Sequence, residues 1–206
     1  MLHKFIRNDK QFNLYYFKTL GTFITFAFKF DMIPHVGNGT LYYALTKDCG
    51  YLKVVGWGSF DKCSSLRLFY NQLLSSGIRR LVIDLQQCTY MDSTFLGTLA
   101  GIQIKYNEIK GELKIVNVSK KNQESIATLG LDKIFNISEQ WDVSRFIDHF
   151  APLDKQSLKK ADTSLTMLEA HELLIDLDPR NKAKFQDLVD YLKEEIGHSS
   201  TNDGSH

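Results

Sequence analysis

The sequence predicts an α/β protein, a mixed sheet of four to five strands with helices packed on it and a helical appendage at the C-terminus. Three observations predict it. Short apolar, β-branched and aromatic runs at 41–45, 51–57, 81–85 and 112–118 alternate with stretches of helical spacing. One such stretch, Phe95, Leu99, Ile102, Tyr106 and Ile109, repeats at intervals of 4, 3, 4 and 3 residues. The composition shifts after Pro152, where leucines at helical spacing return beyond a polar, lysine-rich segment.

Residues 1–39 read as an N-terminal extension. Phe12 to Phe30 has membrane character, but Lys18 and Lys29 interrupt it, leaving less than the roughly 20 apolar residues of a spanning helix. Ile24, Phe26, Phe28 and Phe30 alternate with Thr25, Ala27 and Lys29, as in a strand. The segment is also rich in residue types encoded by AT-rich codons, and Met32 follows it. Residues 1–31 therefore read equally as upstream DNA translated from an early start, with Met32 the first residue. A membrane contact is expected only if residues 1–31 are made.

The domain proper is expected over 40–150. Residues 41–45 and 51–57 make a hairpin about the turn Lys47-Asp48-Cys49-Gly50. Leu66, Phe69, Tyr70, Leu73 and Leu74 line one helical face, and Ser75-Ser76-Gly77 stops that helix. The run LVIDL, 81–85, is a buried central strand. The helix from Phe95 ends near Lys110-Gly111, and the strand 112–118 follows, parallel to 81–85 if the crossover is right-handed. A short helix over 122–129, a weak strand at 134–137 and a helix over 141–150 complete the unit. Beyond a linker at 151–163, two helices span 164–197, the second started by Asp178-Pro179. Residues 198–206 read as a disordered tail. Two such helices cannot bury both apolar stripes alone, so they dock on the domain or mediate self-association as a homodimer.

Composition narrows the function. A net charge of +1 and basic clusters no longer than two residues give no stripe for nucleic acid. Cys49, Cys63 and Cys88 form no CxxC pair and read as small buried hydrophobes of a reducing, cytoplasmic compartment. No phosphate-binding glycine loop and no His/Cys set with metal spacing is present, so no cofactor or metal is expected. His171 is expected at the edge of a helical stripe. Ser93 has no neighbouring His in sequence and sits in no G-x-S-x-G elbow, so an enzyme is not expected. Gly97 and Gly101, four apart on one helix face, mark a close contact expected to be with the sheet.

The chemistry concentrates in Tyr90-Met91-Asp92-Ser93-Thr94-Phe95-Leu96-Gly97, directly before the helix. Read from residues alone, Asp92, Ser93 and Thr94 serve either as caps only or as the site of a switch. A hydroxyl at a helix N-terminus lies where backbone N–H groups open outward, and the helix dipole tolerates a phosphate there. The stretch resembles the F-M-D-S-S-G-L-G run of the STAS domain, the family named for sulfate transporters and anti-sigma factor antagonists. The resemblance covers about 40–140. It implies a non-enzymatic regulator in which a kinase, often the anti-sigma factor itself, phosphorylates the serine that matches Ser93. The unmodified form binds that partner and the phosphorylated form releases it. Asp92 and Thr94 would shape the site. Thr94 stands where the family has a second Ser, and Phe95 where it has Gly. Phe95 either joins the core or presents an apolar anchor to the partner. The alternatives are a constitutive STAS scaffold in a signalling or lipid-transport assembly, with Ser93 only a cap, and a module that senses a small ligand or nucleotide.

Overall fold

The expected hairpin forms one side of the sheet: β3 (Thr40–Leu45) pairs antiparallel with β4 (Gly50–Gly58), and Thr46 closes the turn by hydrogen bonds to Cys49. The computed structural model describes residues 17–19, 22–24, 39–138, 141–143, 147, 149–153 and 160–202. Ahead of the sheet, β1 (Phe17–Thr19) and β2 (Thr22–Ile24) form a separate two-stranded hairpin. The alternation expected over Phe26–Phe30 and the reading of Met32 as a start lie outside the described residues.

The main sheet has six strands in the order β7-β6-β5-β4-β3-β8. β4, β5 (Arg80–Met91), β6 (Glu112–Val116) and β7 (Ile137–Ser138) run parallel, as expected for β5 and β6. The sixth strand, beyond the four or five expected, is β8 (Ala151–Pro152), two residues paired antiparallel with β3. β5 also runs six residues past the expected Leu85. It stays paired with β4 to Gly58↔Met91, and at each of two register irregularities, opposite Lys53/Val55 and Gly56/Trp57, β5 carries one extra residue.

Helices α1 (Cys63–Ser75), α2 (Ser93–Glu108) and α3 (Lys120–Thr128) cover one face. Their apolar stripes meet Leu52, Val54, Leu81, Ile83, Leu85 and Ile115 in the main core. The opposite face carries a smaller cluster of Ala44, Cys49, Tyr51, Val82, Val116, Val143 and Ile147. All three cysteines are free and buried. The single helix expected over 141–150 does not form as such: Trp141, Asp142, His149 and Phe150 are not helical, Val143 belongs to a 3-10 turn and its carbonyl accepts from the Ile147 N–H, and 144–146 and 148 lie outside the described residues.

The appendage is α4 (Lys160–Leu177) and α5 (Lys182–Asn202), joined by one turn of 3-10 helix at Pro179–Asn181. α4 starts inside the stretch expected as linker, and α5 continues past Gly197 into the expected tail. The pair docks on its own domain. Leu174, on α4, is fully buried in the main core cluster, with Leu173, Leu177 and Phe185 packed against it. Gly97 faces α4 rather than the sheet: a Cβ there would lie 2.6 Å from the Ala170 carbonyl oxygen, and one at Gly101 would lie 3.4 Å from the Leu173 side chain. Glycines on α2 let the two helix backbones approach. A second joint is Asn181, which has no exposed surface. Its amide donates to the carbonyls of Leu129 and Leu174 at 3.0 and 2.8 Å, and Lys184 donates to the Thr128 carbonyl at 2.7 Å. Carbonyls at the C-terminal end of α3, which have no partner within their own helix, are met from the appendage.

Candidate functional site

Asp92 builds the site. β5 ends at Met91, Asp92 takes an extended conformation (φ −84°, ψ 169°), and α2 begins at Ser93. One carboxylate oxygen of Asp92 accepts from the Phe95 N–H at 2.8 Å, the N-cap bond of α2. The other accepts from the Phe60 N–H at 2.8 Å, in the 3-10 turn between β4 and α1, and the Asp92 N–H donates to the Gly58 carbonyl. One side chain therefore caps α2 and ties the connection after β4 to it. Both oxygens are turned inward to the protein's own backbone.

Because Asp92 does the capping, the Ser93 hydroxyl is not used as a cap. Its Oγ lies 2.8 Å from Nε2 of His171, 78 residues away on α4. The His171 Nδ1 lies 2.7 Å from the Met167 carbonyl oxygen. A carbonyl only accepts, so Nδ1 carries the hydrogen, Nε2 is left with its lone pair, and the Ser93 hydroxyl donates to it. Burial pulls the His171 pKa below its ordinary 6.5; the Met167 carbonyl and the Asp92 carboxylate oppose that pull. The ring is 2% exposed and meets Phe185 edge-on at 4.8 Å between centroids. His171 thus lies in the interface at Ser93, not at the edge of a stripe. No spacing signal in the sequence links the two residues; only the docking of α4 brings them together.

The other two candidates turn inward. Thr94 is buried, and its carbonyl accepts from the Thr98 hydroxyl one turn on. Phe95 is fully buried in the core and packs under Gly58, where a Cβ would come within 2.7 Å of the ring. Its ring is not an anchor for a partner. Exposed apolar surface beside the site comes instead from Trp57, Phe60 and Tyr90, which the sequence reading did not single out. They are 47, 43 and 41% exposed, and the Trp57 and Tyr90 rings lie 5.5 Å apart. The alternation along β4 is the signal that places Trp57 outward.

A cleft of about 490 Å³ lies between α1, α2 and α4, lined by Tyr70, Thr98, Gly101, Lys105 and Leu173 among others. A second, of about 360 Å³, lies near Cys49, Arg80 and Trp141. Neither includes Ser93. Among the described residues no group of three or more His, Cys, Asp or Glu is placed to hold a metal, and no helix is long and apolar enough to cross a membrane.

Residues 42–138 match the family model described as "Mlab, STAS domain". This segment is a STAS domain. The solved structures similar to the chain include the anti-sigma factor antagonist SpoIIAA in its unphosphorylated form, 14% identical with a TM-score of 0.43, over 52% of this chain and 93% of that one. They also include the Bacillus cell fate determinant SpoIIAA in its phosphorylated form, at 13% identity and TM-score 0.44, over 51 and 95%. The protein TM1081 of Thermotoga maritima is 20% identical with a TM-score of 0.43, over 55 and 91%. The STAS segment contains β4 to β7 and α1 to α3 with the Asp92–Ser93 junction, and α4 and α5 lie beyond it.

Proposed function

We propose that this protein is a non-enzymatic regulator that binds a partner protein, of the anti-sigma factor or serine kinase type, under the control of phosphorylation at Ser93. The observation that carries the reading is the division of labour at the start of α2: Asp92 holds the cap, so Ser93 is free to change chemically without unravelling the helix. A phosphate at that position meets the positive end of the helix dipole, which tolerates it. The partner meets the surface around Asp92, where Trp57, Phe60 and Tyr90 supply the apolar contacts, with Thr94 and Phe95 supporting them from below. A phosphate on Ser93 adds negative charge beside that surface, which weakens docking.

The test is the intact mass of the protein isolated from its own cells, followed by mapping of the modified peptide. Phosphate on the peptide containing Ser93, lost in Ser93→Ala, is the expected result. A chain that stays unmodified across growth conditions overturns it. That outcome favours a second reading, a constitutive scaffold, which has its own support in the bond from Ser93 to buried His171: there the serine serves as a joint between the STAS domain and α4.

A further inference from the structure

We infer that α4 and α5 are a built-in cover over α2, latched at Ser93, and that phosphorylation of Ser93 lifts the first half of α4 with the second half of α5 and uncovers the Gly97 face of α2 as an interaction surface. The inference rests on the phosphorylation reading above and adds what the modification does to this chain.

The geometry leaves the phosphate little choice. The Ser93 Oγ and His171 Nε2 are 2.8 Å apart, so a phosphoryl group on that oxygen occupies the place of the imidazole. His171 cannot simply turn aside. Its other nitrogen is bonded to the Met167 carbonyl of its own helix, and Phe185 of α5 closes on its ring. The strain passes to the backbone of α4. One turn away on α2, Gly97 meets Ala170, the residue before His171, so movement of the imidazole opens that close helix–helix contact in the same step.

The two ends of the appendage are held differently. Toward the Asn181 end, Leu174 sits in the main core and Asn181 bonds to α3. Before His171, Leu168 packs with Val189 and Leu192 of α5 in a cluster separate from the main core, and Ser164 bonds to Glu195 of α5. The first half of α4 and the second half of α5 therefore move as one piece, with the Leu174–Asn181 region as hinge. What they leave on α2 is the face at Gly97, while Leu173 stays with the core beside the hinge. That face fits a helix carrying an alanine-sized residue where Ala170 sat.

The experiment uses the full chain with phosphoserine installed at position 93 by amber suppression, so that no kinase is needed, and reads amide hydrogen exchange. Exchange over 160–171 and the second half of α5 should quicken by about ten-fold or more, with β4, β5 and β6 unchanged. Gly97→Val, which drives side-chain atoms into the Ala170 backbone without touching Ser93, should give the same pattern. Unchanged exchange in the phosphorylated chain means the phosphate has turned to solvent, and slowed exchange means it clamps His171; either overturns the inference. So does loss of protection throughout the sheet. Absence of phosphate on Ser93 in cells would instead sink the functional reading, while this measurement still reports whether the cover can be lifted.

Discussion

Ser93 and His171 make a pair whose strength depends on pH. Burial holds His171 neutral in the folded chain, while in the unfolded chain it titrates near 6.5. The folded pKa is the lower of the two, so the unfolded state binds the proton first as the pH falls. The contribution of neutral His171 is fully present above about pH 6.5 and is lost as the pH drops through the depressed native value. Asp92 on the side of α2 and Phe185 on α5 face the ring; the carboxylate limits the depression and the aromatic edge does not titrate. Denaturant unfolding at pH 7.5 and 5.5 should show the wild type losing stability at the lower pH. His171→Gln, which keeps an acceptor for Ser93 and does not titrate, should show a smaller loss. An equal loss in both proteins would assign the effect to other groups. At Phe95 the expectation is simpler. Its ring is fully buried, so Phe95→Ala should cost about 3–5 kcal/mol in a urea titration, far more than loss of a surface anchor would.

Helix and strand periodicity made most elements legible. The hairpin at β3 and β4, the stripe of α2 and the parallel placing of β5 and β6 follow from spacing and handedness. The polar run Gln86-Gln87 hid the length of β5, because both side chains are exposed and the strand is held there by backbone pairing with β4. Gly97 and Gly101 announced a close approach but not its partner, since a missing side chain carries no information about what fills the space. The Ser93–His171 bond was illegible because it depends on docking across 78 residues. Asn181 was hidden for a related reason. A polar residue just after Asp178-Pro179 looks like part of a helix start, and only the assembled interface buries it. Asn181→Ala removes the donor to two buried carbonyls and should cost about 1–3 kcal/mol. The loss of exchange protection should concentrate at the end of α3 and the α4–α5 junction. A uniform loss across the sheet would mean that Asn181 acts on the whole core instead.

The whole molecule does not divide where its composition changes. Leu174 lies beyond the STAS segment in sequence and inside the main core in space, so the appendage contributes to the domain's stability. Leu174→Ala should lower the urea midpoint of the full chain by the equivalent of about 2–5 kcal/mol, with strands and helices followed together by circular dichroism. If only helical signal were lost at low urea, α4 and α5 would be an independent unit. The same interlocking has a consequence in time. The Leu129 carbonyl at the end of α3 finds its partner in Asn181, 52 residues further along the chain. At a synthesis rate of about 5–20 residues per second, the ribosome reaches that partner roughly 3–10 s after making the carbonyl that needs it. Over that interval the ribosome also adds the two edge strands β7 and β8, while the end of α3 waits for a segment made later to close it.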